Sequence, residues 1–148
     1  MMPVAIERMD DRMDAVHAAL VAALPLRVLK RSFFRHFTEH EEAELDAGVV
    51  MLISAGEGDY KRGRGMIARE GTHTFLLIGH IKVDDDSEPQ TTEAAELDLI
   101  EDLKAFARLP VPGMSLYLAQ VQHSRQLEHP YGWVVAYLEA SAPSQNTH

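Results

Sequence analysis

His36 and His40 stand four residues apart, the spacing that puts two imidazoles on one face of a helix as metal ligands. A third ligand would come from His73, His80 or a carboxylate. No H-E-x-x-H frame surrounds them, and the segment lacks clear helical periodicity, so solvated histidines after Phe33 and Phe34 account for the pattern better. Asp84, Asp85 and Asp86 offer oxygen ligands to Mg²⁺ or Ca²⁺, but without the D-x-[DN]-x-[DN]-G frame of a calcium loop; a charged strand-to-helix turn explains them more simply. The run from Gly56 to Gly65 (GEGDYKRGRG) is glycine-rich like a phosphate loop, yet has neither G-x-x-x-x-G-K-[ST] nor G-x-G-x-x-G before a helix. What it does carry is cations: Lys61, Arg62, Arg64 and, further on, Arg69 are the candidate interaction residues, able to touch an acidic protein surface or nucleic acid. Ser124, His123 and Glu128 lie close along one loop, but no G-x-S-x-G is present and a general acid surplus hides any working carboxylate pair. The residues therefore give no enzymatic signature: no catalytic residue, metal or cofactor is expected.

The whole-chain composition narrows the classes further. A chain of 148 residues, 46% hydrophobic and 25% charged, suits one domain with a substantial core. With no cysteine, disulfides, zinc–cysteine sites, iron–sulfur clusters and thiol nucleophiles are excluded. No apolar run approaches the ~18 residues that cross a bilayer, so no membrane partner is expected. The opening MMPVAIERMDDRMD is too acidic for a signal peptide, which makes the cytoplasm the default expectation. Net charge is −9, and it is unevenly spread: nine acids and no Lys or Arg fall between Asp84 and Asp102. Bases gather at Arg27, Lys30, Arg31 and Arg35, and again at 61–69. General or sequence-specific nucleic-acid binding is not expected at this charge; self-association through unlike patches is.

Elements follow from periodicity. Ile6, Met9, Met13, Val16, Leu20 and Leu24 recur at three and four, predicting a helix over 5–24 that Pro25 ends. Residues 26–34 read as extended and 38–47 as a loop or short turn. VVMLIS at 49–54 predicts a buried strand, 56–72 a long loop, and 73–83 a strand with Phe75, Leu77, Ile81 and Val83 on one face. Ser87 and Gln90 match a capping box with Pro89 in the first turn, opening a helix to Arg108. Strands at 114–122 and 132–139 flank a hairpin loop at 124–131. The predicted fold is α+β (mixed α/β): a mainly antiparallel sheet with two amphipathic helices on one face, in a single domain over 1–140 followed by a polar tail over 141–148.

This order resembles that of the tail terminator (minor tail protein U-like) family of long-tailed bacteriophages and prophages. The resemblance rests on the alanine-rich helix ending at Pro25, the strand–acid turn–helix unit spanning 75–109, and the closing segment Gln126-Leu127-Glu128-His129-Pro130-Tyr131-Gly132-Trp133 before the last strand. It implies a mixed α/β structural protein without enzymatic activity. It implies a homo-oligomer, a hexameric ring on the tail tube that stops polymerisation and presents a surface for head attachment. The implied partners are the tail-tube protein and a head-completion protein, first in the host cytoplasm and then in the virion tail. Other classes are compatible with the residues: a related tail-completion or head–tail joining protein, a small metal-dependent hydrolase built on His36 and His40, or a nucleic-acid-binding accessory domain using Lys61, Arg62, Arg64 and Arg69.

Overall fold

The computed structural model of the protein describes residues 6, 8–58 and 71–141, together with the backbone of 62–63 and 66–67. Helix α1 (Met9–Ala23) is followed by β1 (Val28–Lys30), a 3-10 turn (Phe37–Glu39), α2 (Glu42–Ala47) and β2 (Val49–Gly58). Then come two short strands, β3 (Arg62–Gly63) and β4 (Met66–Ile67), before β5 (Thr72–Lys82), α3 (Pro89–Ala107), β6 (Ser115–His123) and β7 (Tyr131–Ser141). The main sheet has five strands in the order β1-β2-β5-β7-β6. Only β1–β2 is parallel; the other pairs are antiparallel.

The expected fold class is what forms. Met13, Val16 and Leu20 of α1 and Leu99, Leu103 and Phe106 of α3 join one core with Val50, Leu52, Phe75, Leu77, Val134, Ala136 and Leu138. Both long helices therefore lie on the same sheet face. Alternation in β5 and β7 does this directly: Phe75 and Leu77 point in while Leu76 and Ile78 point out, and Val134, Ala136 and Leu138 point in while Trp133, Val135 and Tyr137 point out.

Several boundaries differ from the periodicity reading. Residue 6 is not helical and α1 begins at Met9. The segment read as a loop over 38–47 contains α2, because Glu41 and Glu44 form a reciprocal capping box and Leu45 has a core to enter. Strand β2 runs on to Gly58 past a bulge between Ser54 and Gly56, so the expected loop over 56–72 begins and ends within the paired strands, Gly58 facing Thr72. The capping box expected at Ser87 does not form: the hydroxyl of Ser87 donates to the Asp84 carbonyl at 2.6 Å, and Glu88 takes the N-cap position with Pro89 in the first turn.

Helix α3 approaches the sheet closely at two glycines. A Cβ on Gly79 would lie 2.4 Å from Leu99 Cδ2. A Cβ on Gly132 would lie 2.6 Å from Glu96 Oε2 and 2.9 Å from both Glu96 Cγ and Thr92 Cγ2. The latter clash involves a buried carboxylate with fixed partners, described below, so relief is expensive. We predict that Gly132→Ala lowers stability by about 1–3 kcal/mol through overpacking. Gly58→Ala, where nothing lies within 4 Å, should be near neutral. Urea midpoints for the two variants check this; equal midpoints would show that α3 yields freely.

Candidate functional site

The sheet face away from the helices is only partly covered. The chain from Phe33 to Ala47 crosses its β2–β5 end, where Phe34 and Phe37 pack with Leu45, Val49, Met51, Ile78 and Tyr131. Phe37 stacks on Tyr131 at 4.8 Å between ring centres. Beyond this strap lie Ile53, Leu76, Trp133, Val135 and Tyr137, all half-buried. The register makes them a continuous patch: Ile53 faces Leu76, Leu76 faces Tyr137, and Ile78 faces Val135. At the seam between strap and open face is a cavity of about 370 Å³ lined by Phe33, Arg35, Phe37, His80, Trp133 and Val135, among others. Edge strand β6 adds Tyr117, 63% exposed, and among its nine residues carries no Lys, Arg, Asp, Glu or Pro. Charges and prolines are the usual guards of a sheet edge.

Under the strap a line of side chains runs inward. Lys30 Nζ bonds Glu44 Oε1 and His40 Nδ1, both at 3.0 Å, and His40 Nε2 lies 3.0 Å from His80 Nδ1. An ammonium can only donate, so His40 Nδ1 accepts and its Nε2–H donates to His80. Burial, helped by His40, pushes the His80 imidazolium down to about 4. His40 is lowered too, by burial and then Lys30. His73, on the opposite face, is lowered by burial and then Arg12; its Nε2 meets Ser54 Oγ at 2.7 Å, and its buried Nδ1 has no partner among the described residues.

A second cluster closes the β6–β7 hairpin. Glu96 of α3 is fully buried. Its Oε2 accepts the Trp133 backbone N–H at 3.0 Å and the Ser124 hydroxyl, and its Oε1 lies 2.9 Å from His123 Nδ1. Thr92 Oγ1 is 2.6 Å from His129 Nδ1, whose other ring nitrogen lies 2.8 Å from the Ser87 carbonyl. Ser124 and His123 thus share a carboxylate, but it is Glu96 rather than Glu128, and both bond the acid instead of each other. That is an anchor, not an activated nucleophile, which needs a hydroxyl–imidazole bond.

The sequence-derived candidates fare unequally. Lys61, Arg64 and Arg69 lie outside the described residues, and of Arg62 only the backbone in β3 is described. The loop over 56–72 is described only at its strands and at Gly71. Of the polar tail read over 141–148, Ser141 ends β7 and the rest lies outside the described residues. His36 and His40 do not form a metal pair: His36 is exposed at the N-cap position of the 3-10 turn, with no side-chain capping bond, and His40 turns inward to Lys30 and His80. Among the described residues no group of three or more His, Asp and Glu could hold a metal. No helix among them is long and apolar enough to cross a membrane.

The charge separation seen along the chain is partly cancelled in space. Arg27 pairs with Asp102 at 2.9 Å and Asp98 at 3.3 Å, Lys82 with Glu42 at 2.6 Å, and Arg31 with Asp14 at 2.8 Å. Arg12 and Glu57, each 5% exposed at the side chain, form a buried ion pair between α1 and β2. Compared with known proteins, the chain matches no family model and no curated protein.

The histidine line yields a pH prediction. A group whose folded value lies below its unfolded one favours the folded state while neutral; the unfolded chain takes up the proton first. Stability should be full above about pH 6.5 and fall as pH drops toward about 4, by on the order of 3 kcal/mol for His80. Melting temperatures measured between pH 7 and 4.5 should decline, and His80→Gln should flatten that decline. An unchanged slope in the variant would remove His80 as the cause.

Proposed function

We propose that the chain is a subunit of a homo-oligomeric ring, of six copies, that caps the tail tube of a long-tailed phage, stops its polymerisation and presents a surface for head attachment. In this reading it is structural and has no enzymatic activity, and its further partners are the tail-tube and head-completion proteins. The observation that carries the proposal is the open apolar sheet face of Ile53, Leu76, Trp133, Val135 and Tyr137. Contiguous apolar surface of this kind on a folded chain marks a contact surface.

The fold supports the reading as well. The tail-terminator resemblance implies a sheet with helices packed on it, and the chain has both long helices on one face of an antiparallel sheet. The occupant of the open face is a second copy. A head-to-tail ring joins unlike patches, so the sheet face of one subunit meets a different surface of the next. Exposed apolar side chains elsewhere, such as Leu97 and Leu109 on and after α3, provide apolar counterparts. Because Arg27, Lys30, Arg31 and Lys82 are already paired within the subunit, charge contributes orientation more than affinity. Apolar burial supplies the rest, at ~25 cal/mol per Å².

The test combines solution mass with tail length. Wild-type protein should associate to six copies, alone or on purified tail tubes. Leu76→Glu with Tyr137→Glu, which face each other across β5 and β7, should leave a folded monomer and give particles with overlong tails. A wild-type chain that stays monomeric even with tail tubes present would reject the proposal.

A further inference from the structure

At the end of edge strand β6 is a cavity of about 440 Å³ lined by Val121, Gln122, His123, Arg125 and Trp133. It shares Trp133 with the open apolar face, and the histidine line does not reach it. Its polar lining is cationic on one side. Arg125 is exposed and makes no ion pair among the described residues. His123 has Nδ1 committed to Glu96 at 2.9 Å, which leaves Nε2 as the ring nitrogen without a partner among the described residues. With a proton on Nε2 as well, the ring would present a second N–H on the side of the guanidinium. Glu96 in turn is fixed by Ser124 and the Trp133 backbone, so the imidazole is held in place from behind.

The backbone adds an independent observation. Arg125 and Gln126 both adopt left-handed conformations, with φ of 57° and 70°. Two successive non-glycine residues there carry strain that glycine or asparagine would largely avoid. Such strain clusters where a side chain has work that the turn itself does not need. Here it sets the Arg125 side chain at the cavity.

We propose that this cavity receives a carboxylate side chain from an acidic protein segment, with Arg125 and His123 holding its two oxygens and the Trp133 ring packing its methylene carbons. The planar fork of a guanidinium fits the two-oxygen edge of a carboxylate. Glu96, directly behind His123, opposes more than one added negative charge, which favours a carboxylate over a phosphate dianion. The fold supplies a segment of the right chemistry. The turn after β5 exposes Asp84, Asp86 and Glu88, none of them ion-paired among the described residues, at the same end of the sheet as the β6–β7 hairpin: Val83 N–H donates to the Pro130 carbonyl, and His129 contacts the Ser87 carbonyl. A neighbouring copy would present this turn to the cavity; that source rests on the ring reading, whereas the site does not.

Trp133 is the chain's single tryptophan and lines this cavity as well as the open face, so the amide peptide and Arg125→Gly assign any change in its emission to the cavity. The probe is a synthetic peptide of residues 83–91, titrated against the intact protein, with a control peptide in which each Asp and Glu is replaced by its amide. The acidic peptide should change Trp133 emission saturably, and the amide peptide should bind at least tenfold more weakly. Arg125→Gly should weaken acidic-peptide binding at least tenfold while melting no lower than the wild type, because glycine relieves the left-handed backbone. His123→Gln should weaken it severalfold. No saturable change, equal binding of the amide peptide, or undiminished binding by Arg125→Gly would each overturn the site. Asp84→Asn/Asp86→Asn/Glu88→Gln tests the source. Loss of association by this variant supports the neighbouring copy. Normal association with intact peptide binding assigns the carboxylate to another protein. A wild type that binds the peptide and never associates rejects the ring and keeps the site.

Discussion

The buried carboxylate of Glu96 is the contact on which the β6–β7 half of the sheet depends. It reaches from the middle of α3 to both strands at the base of their hairpin, taking the Trp133 N–H on one side and Ser124 and His123 on the other. A charge removed from water is tolerated only where its lone pairs are filled, and here three donors fill them. The arrangement forces glycine at 132, since any side chain there would occupy the carboxylate's own space. It also fixes the imidazole of His123 and the start of the turn that carries Arg125. Edge strand β6, which pairs only with β7 and buries none of its residues, is tied to the helical layer through this acid and the flanking apolar contacts of Leu116, Leu118 and Val121.

The two faces of the sheet follow different rules. The helical face is sealed by α1 and α3 around Phe75, Leu77, Ala136 and Leu138. Among the described residues, the other face is closed where the strap from Phe33 to Ala47 lies across it, held by Phe37 against Tyr131 and by the chain from Lys30 through His40 to His80. The strap ends at the seam cavity beside Val135, and half-buried apolar side chains continue past it. A subunit designed to work alone gains nothing from that exposure. A subunit that stacks on a neighbour does, which is why the assembly reading places the open face, rather than the basic segment or any histidine, at the centre of function.

Much of this architecture was legible from spacing alone. The alternation of Phe75, Leu77 and Ile81 and the helical rows of Leu99, Leu103 and Phe106 each follow from burial on one face. Elements whose stability comes from tertiary contacts were less so. Strand β1 was legible only as an extended stretch over 26–34, its three residues being fixed by pairing with β2; α2, read as a loop or short turn, has six and depends on its capping box and Leu45. Glu96 was hidden among the acids between Asp84 and Asp102, where a solvated face is the ordinary expectation. Its signal was positional: 92, 96, 99, 103 and 106 form one row, and all five are buried. His40 and His80 gave no spacing clue because 40 residues separate them, and their pairing needs the strap to fold over β5. The separation of charge along the chain overstated the separation in space, since Arg27 reaches back across 71 and 75 positions to Asp98 and Asp102.

The central claim is that the open sheet face is buried when copies associate. The chain has no cysteine, so a single introduced thiol reports its own surroundings. Tyr137→Cys sets one on the open face, and Ala18→Cys sets one at an exposed position of α1, on the other side of the sheet. Alkylation rates should be compared between dilute protein and protein assembled on tail tubes. The account predicts that the thiol at 137 reacts at least tenfold more slowly after assembly. Equal rates at 137 in the two states, in protein whose mass shows that it has assembled, would contradict it.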